Sequence, residues 1–351
     1  MALREKNHDG SVVAGGPSPD RPTADAWVTA GHRHPSLPST PSRRAFLKTT
    51  ACGVAGLSLA GGVVGAMLEA RPAMAADVTM TPLGDDIALL RGAGGNVLVI
   101  GGAAKAVLVD SGAPEETKAV LAQVAKLVPG GVDTLFNTHW HPEHTGGNEA
   151  FGKTGARIIA HENTRLWMGA EFRVEWQDKT YEPRPRAAQP NETFYTGGEG
   201  EFGGRRIRYG HLSQAHTDGD IYIHLPDENI LVAGGLVTVG SYPVLDYSTG
   251  GWIGGLTDAT QTLLEIIDDE TRIIPGRGPV VNKAHVEAQF QMLQEMMMRI
   301  VTMVQKGMSS EDMLAADVGH GFNETYGKPD QFVHNAYWGI WGHIRDFANV
   351  V

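Results

Sequence analysis

The chain has 351 residues, 42% hydrophobic and 20% charged, the balance of a globular protein with enough apolar mass for a sizeable core. Its 40 acidic side chains outnumber 29 basic ones, giving a net charge of −11, which repels phosphate backbones and disfavours a nucleic-acid partner. A single cysteine, Cys52, excludes a disulfide framework and a cysteine-built metal centre.

Residues 1–41 are rich in Pro, Ser, Gly and His, show no apolar period, and are expected to form a disordered leader. Residues 42–75 begin Ser42-Arg43-Arg44-Ala45-Phe46-Leu47-Lys48. A mildly apolar Gly/Ala-rich run from Thr49 to Met67 follows, and then Ala73-Met74-Ala75. This pattern resembles a twin-arginine signal peptide cleaved near Ala75, which implies the twin-arginine export machinery as a partner and a periplasmic or secreted product. The competing reading is a membrane anchor. Gly and Ala make the run a poor spanning helix, so no stable anchor is expected. Cys52 opens the apolar run instead of following it, which argues against a lipoprotein. Without residues 1–75 the chain keeps 21 basic and 35 acidic side chains, a balance of −14, and no thiol.

From residue 76 to 351 one domain is expected. Ile87–Leu90, Asn96–Ile100 and Ala106–Asp110 read as short strands separated by glycines, and Glu115 to Leu127 has helical spacing. Val132-Asp133-Thr134-Leu135-Phe136 reads as a half-buried strand. It leads into Asn137-Thr138-His139-Trp140-His141-Pro142-Glu143-His144-Thr145-Gly146-Gly147-Asn148. At strand spacing His139 and His141 point to one side, where both neutral imidazoles reach one ion. A histidine-rich solvated loop is the alternative, but three histidines beside an acid and two glycines favour metal.

Another strand precedes His161, which is expected to be structural, and a helix is expected to reach about Phe172. Residues 173–193 read as a connection over the active-site mouth, with Trp176 and Tyr181 as wall residues or as part of a solvated loop. The second chemical stretch, Ala215-His216-Thr217-Asp218-Gly219-Asp220, lies between strands 205–209 and 221–225. Ile230 to Leu236 is a strand ending in Gly234-Gly235, and Ile273-Ile274-Pro275-Gly276-Arg277-Gly278-Pro279 follows later. Ala284 to Val304 reads as a helix whose methionines Met292, Met296, Met297 and Met298 fill the core. Phe332 to Phe347, with Trp338 and Trp341, reads as a terminal helix packed on the sandwich.

The His139-x-His141-x-Glu143-His144 signature, followed in order by His216, Gly234-Gly235 and the Arg277 segment, resembles the metallo-β-lactamase superfamily. The resemblance spans about residues 77 to 285. It implies an α/β (α+β) fold, a four-layered αββα sandwich, with Asp110 supporting the metal site from behind. It also implies His139, His141 and His216 as ligands of one metal, and Glu143 and His144 beside a second. Asp220 matches the acid that orients a neighbouring imidazole. Tyr242-Pro243, Asp246 and Gly250-Gly251 resemble exported or uncharacterised metallo-hydrolases.

The chain departs from the family in three places. Glu143 stands where aspartate is usual, Gly235 where an aspartate bridges two metals, and Arg277 where a histidine binds the second. A guanidinium does not coordinate zinc. One zinc ion is therefore expected, two being the fuller family pattern. Three nitrogens leave an open position for water, supplying a metal-bound hydroxide at neutral pH to attack an ester, lactone or amide of a small-molecule substrate. Glu143 would take the water's proton or hold the water in line, and Arg277 would pair with Glu143 and stand in for the second ion. Two other readings are a degenerate member that binds metal or a small ligand without turnover, and a mononuclear iron persulfide dioxygenase, which needs the aspartate absent at Gly235.

Overall fold

The computed structural model describes residues 77–102 and 104–343. The expected disordered leader and export signal, with Arg43, Arg44, Cys52 and Ala75, lie outside the described residues, as does Phe347. Among the described residues no helix is long and apolar enough to cross a membrane.

The first sheet begins with β1 (Thr79–Pro82), β2 (Ile87–Ala93), β3 (Gly95–Ile100) and β4 (Ala106–Val109). It continues with β5 (Val132–Phe136) and β6 (Arg157–His161). A two-stranded hairpin, β7 (Phe172–Val174) and β8 (Lys179–Tyr181), interrupts the order before β9 (Glu192–Phe194) closes the first sheet's edge. The second sheet runs β10 (Gly197–Phe202), β11 (Arg205–His211), β12 (Ile221–Leu225), β13 (Ile230–Gly234) and β14 (Arg272–Pro275). Antiparallel pairs open both sheets. Parallel pairs join β4 to β5, β5 to β6, β6 to β9 and β13 to β14, each across a connection that contains a helix.

Alternation along the strands builds the layers. Odd positions of β3, Val97 and Val99, pack with Leu108, Leu135 and Ile158 against Val120 and Val124 of the helix Thr117–Leu127. Even positions, Leu98 and Ile100, pack with Val107, Val109 and Phe136 against Ile207, Ile221, Ile223 and Ile274 of the second sheet. Every residue of β3 is buried, as a strand covered on both faces must be. The far face of the second sheet, Leu231, Ala233 and Ile273, is covered by helices Ile253–Ile266, Lys283–Gln305 and Asp330–Gly342. The order helix, sheet, sheet, helix is the four-layered αββα sandwich expected from the sequence.

Three expectations change. Met292 and Met296 are fully buried as core filler, whereas Met298 is exposed. The terminal helix packs through Phe332, Val333, Ala336 and Ile340, leaving Trp338 and Trp341 at the surface. The helix after His161 ends at Gly169, and Phe172 instead opens the hairpin.

Candidate metal centre

The chain leaves β5 at Phe136 and bends through residues 137–141. His139 and His141 are therefore not neighbours on a strand face, as the spacing suggested; the bends bring their rings together. Asp110, at the end of β4, fixes those bends. Its Oδ1 accepts from the Thr138 backbone N–H at 2.8 Å and its Oδ2 from the Thr138 hydroxyl at 2.8 Å. Asp110 is buried and sits in left-handed backbone (φ 62), so it supports the site from behind as the resemblance implied. Behind it, Asn137 and Asn148 exchange side-chain hydrogen bonds at 2.8 and 3.1 Å.

The short helix Pro142–Thr145, opened by a proline that sacrifices no needed N–H at its first turn, carries Glu143 and His144. His216 comes from the loop between β11 and β12. There Asp220 accepts from the Thr217 backbone N–H at 2.6 Å and the Thr217 hydroxyl at 3.1 Å. Asp220 thus shapes the ligand loop and orients no imidazole, contrary to expectation. That task falls to Asp246, whose Oδ2 lies 3.0 Å from His141 Nε2.

His139, His141 and His216 bring their ligand nitrogens within 4.8 Å of one another, all buried. Their rings stand edge to face, with centroids 4.7 to 4.8 Å apart. Each ring is held by its outer nitrogen. His139 Nδ1 contacts the Thr138 hydroxyl at 3.0 Å, His141 Nε2 contacts Asp246, and His216 Nδ1 donates to the Val244 carbonyl at 2.7 Å. That leaves Nε2, Nδ1 and Nε2 facing inward, with His216 Nε2 3.0 Å from His141 Nδ1. Outer partners of this kind set tautomer and ring direction in metal sites.

Electrostatics keep the inner lone pairs of His139 and His216 free. Burial, followed by the neighbouring imidazoles and Arg277, drives the His139 pKa well below the usual histidine value. Burial and His141 bring His216 to about 3, against the opposing pull of its bond to Val244. Neutral imidazole is the ligand form, so three nitrogen donors without a thiolate fit a borderline divalent ion such as zinc.

His144 stands beside this group and outside it. Its ring is 4.4 Å from that of His139, and its Nδ1 lies 2.7 Å from Asp110 Oδ2. Burial pushes its pKa down, but the charge and hydrogen bond of Asp110, aided by Glu143, raise it overall. Arg277 Nη2 donates to Glu143 Oε1 at 3.1 Å, the pairing that the substitutions suggested. Burial pushes the Glu143 carboxyl up, yet His141, His144, its own backbone N–H and Arg277 outweigh that and hold it at about 2. The Arg277 loop is itself anchored: Asn96 donates from its side chain to the carbonyls of Pro275 at 2.9 Å and Gly278 at 3.0 Å.

A cavity of about 460 Å³ opens over His139, His216, Glu143 and His144. Gly234, Gly235, Gly276 and Arg277 line it on the flank where a second metal would sit, and Val237, Val239, Val244, Tyr242 and Pro279 form an apolar wall. Trp176 and Tyr181, expected as wall residues, do not line it. A Cβ on Gly235 would lie 2.2 Å from His216 Cδ2, so the place of the bridging aspartate is filled by a ligand ring.

Sequence reasoning missed Asp246 as a partner of His141, from which it is 105 residues away, and it missed Thr249 and Trp176, which share that carboxylate. The only signal was the Tyr242 to Gly251 phrase, which gave Asp246 a place in the pattern and no contact.

A family profile described as the metallo-beta-lactamase superfamily matches residues 90–278, over half of the chain. Over 101 residues the chain is 31% identical to the hydroxyacylglutathione hydrolase of Erythrobacter litoralis (strain HTCC2594). That alignment covers 28% of this chain, and the chain spans about a third (32%) of that curated relative's length. Among solved structures, a metallo-beta-lactamase from Pontibacter korlensis superposes with a TM-score of 0.51 at 20% identity, covering 62% of this chain and 99% of that one. The inverting sec-alkylsulfatase Pisa1 from Pseudomonas sp. gives a TM-score of 0.60 at 16% identity, covering 74% of this chain and 50% of that one. At these identities the two structures speak to the fold alone. With the sandwich, the histidine triad and the family profile in agreement, the chain belongs to the metallo-β-lactamase superfamily.

Proposed function

We propose that this is an exported, mononuclear zinc-dependent hydrolase of an ester, lactone, thioester or amide in a small molecule. The observation that supports this most directly is the triad: three buried imidazoles converge at one edge of a cavity, each fixed by its outer nitrogen. A divalent ion held there supplies Lewis acidity, lowering the pKa of a water and polarising a carbonyl. The second-ion flank offers a guanidinium and a bare glycine, which supports a count of one.

The protein's own groups divide the remaining work. Glu143 lines the same cavity and, with a pKa of about 2, stays ionised. An ionised carboxylate there accepts a hydrogen bond from the attacking water and holds it in line. Arg277 spends one donor on Glu143; it lines the cavity with its side chain 65% exposed, so its other N–H groups are available to hold a substrate carboxylate or a departing anion. The valines and Tyr242 opposite suit an apolar acyl chain. The curated relative's name adds a glutathione thioester to the substrates worth trying.

One observation favours a second reading, a metal-binding protein without turnover: the Arg277–Glu143 pair occupies the flank where a second ion would assist. Metal analysis of the purified protein, followed by assay on an aryl ester, a lactone, a chromogenic β-lactam and a hydroxyacylglutathione, separates them. One zinc per chain with turnover of any of these supports the hydrolase. Zinc with no turnover across the panel supports the binding protein, and a chain that takes up no divalent metal refutes both.

A further inference from the structure

We infer that the hairpin Phe172–Tyr181 is a positioning device for the metal triad, acting through the indole N–H of Trp176 on Asp246. The inference rests on the triad as the metal site and concerns a hairpin that neither the family pattern nor the cavity includes.

Asp246 is fully buried. A buried carboxylate accepts hydrogen bonds only, and each bare lone pair raises the cost of its charge. Here the Trp176 indole donates to Oδ1 at 2.9 Å, while the Thr249 hydroxyl donates to Oδ2 at 2.7 Å and His141 Nε2 lies 3.0 Å from Oδ2. Among the described residues Trp176 is the side-chain donor to Oδ1. With Oδ1 pinned, the carboxylate plane cannot turn about Cβ–Cγ, and Oδ2 stays aimed at His141. Because that oxygen only accepts, His141 carries a hydrogen on Nε2, and Nδ1 is the nitrogen turned toward the triad, 3.0 Å from His216 Nε2. Removing the indole N–H frees the carboxylate to rotate, and the direction of the His141 ring becomes less defined.

The same hairpin grips the neighbour of His141 in the chain. The Trp140 ring lies 4.4 Å from that of His141 and 4.9 Å from the rings of both Phe172 and Tyr181. Trp140 Nε1 donates to the Thr249 hydroxyl at 3.1 Å, and that hydroxyl passes its own hydrogen to Asp246. A backbone bond from Glu175 N–H to the Ser248 hydroxyl at 3.2 Å ties the hairpin's tip to the Asp246 segment. Ligand, carboxylate, threonine and two indoles form one closed network, and the hairpin supplies one indole and the packing of the other.

The test compares Trp176→Phe, Asp246→Asn and Tyr181→Phe in the full chain. Trp176→Phe keeps the ring and deletes the N–H, while Tyr181→Phe deletes a hairpin hydrogen bond, to Gln177, that does not touch Asp246. Zinc affinity is read by competition with a chelating dye. His141 tautomer is read by long-range ¹H–¹⁵N correlation in the metal-free protein, and thermal unfolding of the metal-free protein reports packing. Loss of an outer partner costs metal affinity about ten- to a hundredfold. Asp246→Asn should fall in that range and Trp176→Phe at its lower end, about tenfold, with Tyr181→Phe unchanged. His141 should be a single Nε2–H tautomer in the parent and a mixture in Trp176→Phe. Parent-like affinity and tautomer in Trp176→Phe would overturn the inference, as would equal losses in Trp176→Phe and Tyr181→Phe. A parent that binds no zinc refutes the metal reading, and the tautomer measurement still decides the role of Trp176.

Discussion

Gly235 is where adding one carbon tests most. A Cβ there would stand 2.2 Å from His216 Cδ2, 2.7 Å from Cγ and 2.8 Å from Nε2. Ordinary contact begins near 3.4 Å, so Gly235→Ala requires a displacement of more than about 1 Å, against a tolerance of about 0.2 Å for a metal–ligand distance. The His216 ring cannot swing freely, because its Nδ1 is bound to the Val244 carbonyl at 2.7 Å. Moving the ring breaks that bond and carries Nε2 away from the other two ligands. With one of three donors lost, zinc affinity should fall about a thousandfold, ~4 kcal/mol. Gly235→Asp should do the same, even though aspartate is the family's bridging ligand and even when paired with Arg277→His. Zinc per chain and dissociation constant, measured by dye competition with cobalt(II) absorption as a check on geometry, read the effect. Gly235→Ala with affinity within about threefold of the parent would refute the reasoning, because His216 would then lie elsewhere when the ion is bound. Two zinc ions in the Gly235→Asp, Arg277→His double variant would refute the claim that the second site has been filled in.

The four histidines of the site should respond unequally: His139→Ala, His141→Ala and His216→Ala each abolish tight zinc binding, and His144→Ala weakens it less. Equal, complete loss in all four would make His144 a ligand of the same ion. Arg277→Ala should retain one zinc and lose about tenfold in turnover, ~1.4 kcal/mol; unchanged turnover retires its stand-in role. His161, stacked on His211 at 3.6 Å, has its pKa lowered to about 4 by burial and then by that neighbour. Below pH 6.5 the unfolded chain therefore binds the extra proton first, and stability present above that pH is lost on acidification toward 4, by ~2 kcal/mol after allowance for screening. His161→Phe should flatten urea unfolding across that window, and an unaltered slope would remove the assignment. Arg43→Lys with Arg44→Lys should leave folded, metal-containing precursor in the cytoplasm, and unimpaired export would discard the twin-arginine signal.

Much of the sandwich was legible because its rules are local. Short β-rich runs between glycines announced β2 to β5, and continuous burial of β3 follows from an apolar run with no polar face. The histidine cluster was legible because His139 and His141 are near neighbours and His216 follows in chain order. The contacts that aim the ligands were not. Asp246 reaches His141 across 105 residues, and no spacing rule joins a loop carboxylate to a distant ring. The hairpin escaped because each strand is three residues long and rich in charge, below the length at which alternation becomes a signal. The terminal tryptophans were misplaced for a different reason: bulk was read as burial. Helical periodicity sets Phe332, Val333, Ala336 and Ile340 on one face, with Trp338 and Trp341 off it.

The altered second site reads as a rebuilt surface more than as decay. Decay leaves bare polar groups, and here each substitution meets a partner. The space above Gly235 holds the His216 ring, Arg277 pairs with Glu143, and Asn96 fixes the loop that presents Arg277. Formal charge is preserved as well. An ion at +2 with a bridging aspartate at −1 gives +1, the charge that Arg277 alone supplies. An anion drawn to the two-metal site would meet the same net field here, from a group that carries no exchangeable water and needs no loading. Chemistry that depends on a second activated water is lost with the exchange, whereas chemistry that needs only a positive anchor beside one Lewis acid is kept. On the proposed hydrolase reading, that division would favour substrates with an anionic handle next to the scissile carbonyl. Arg277 and the valines Val237, Val239 and Val244 line one and the same cavity.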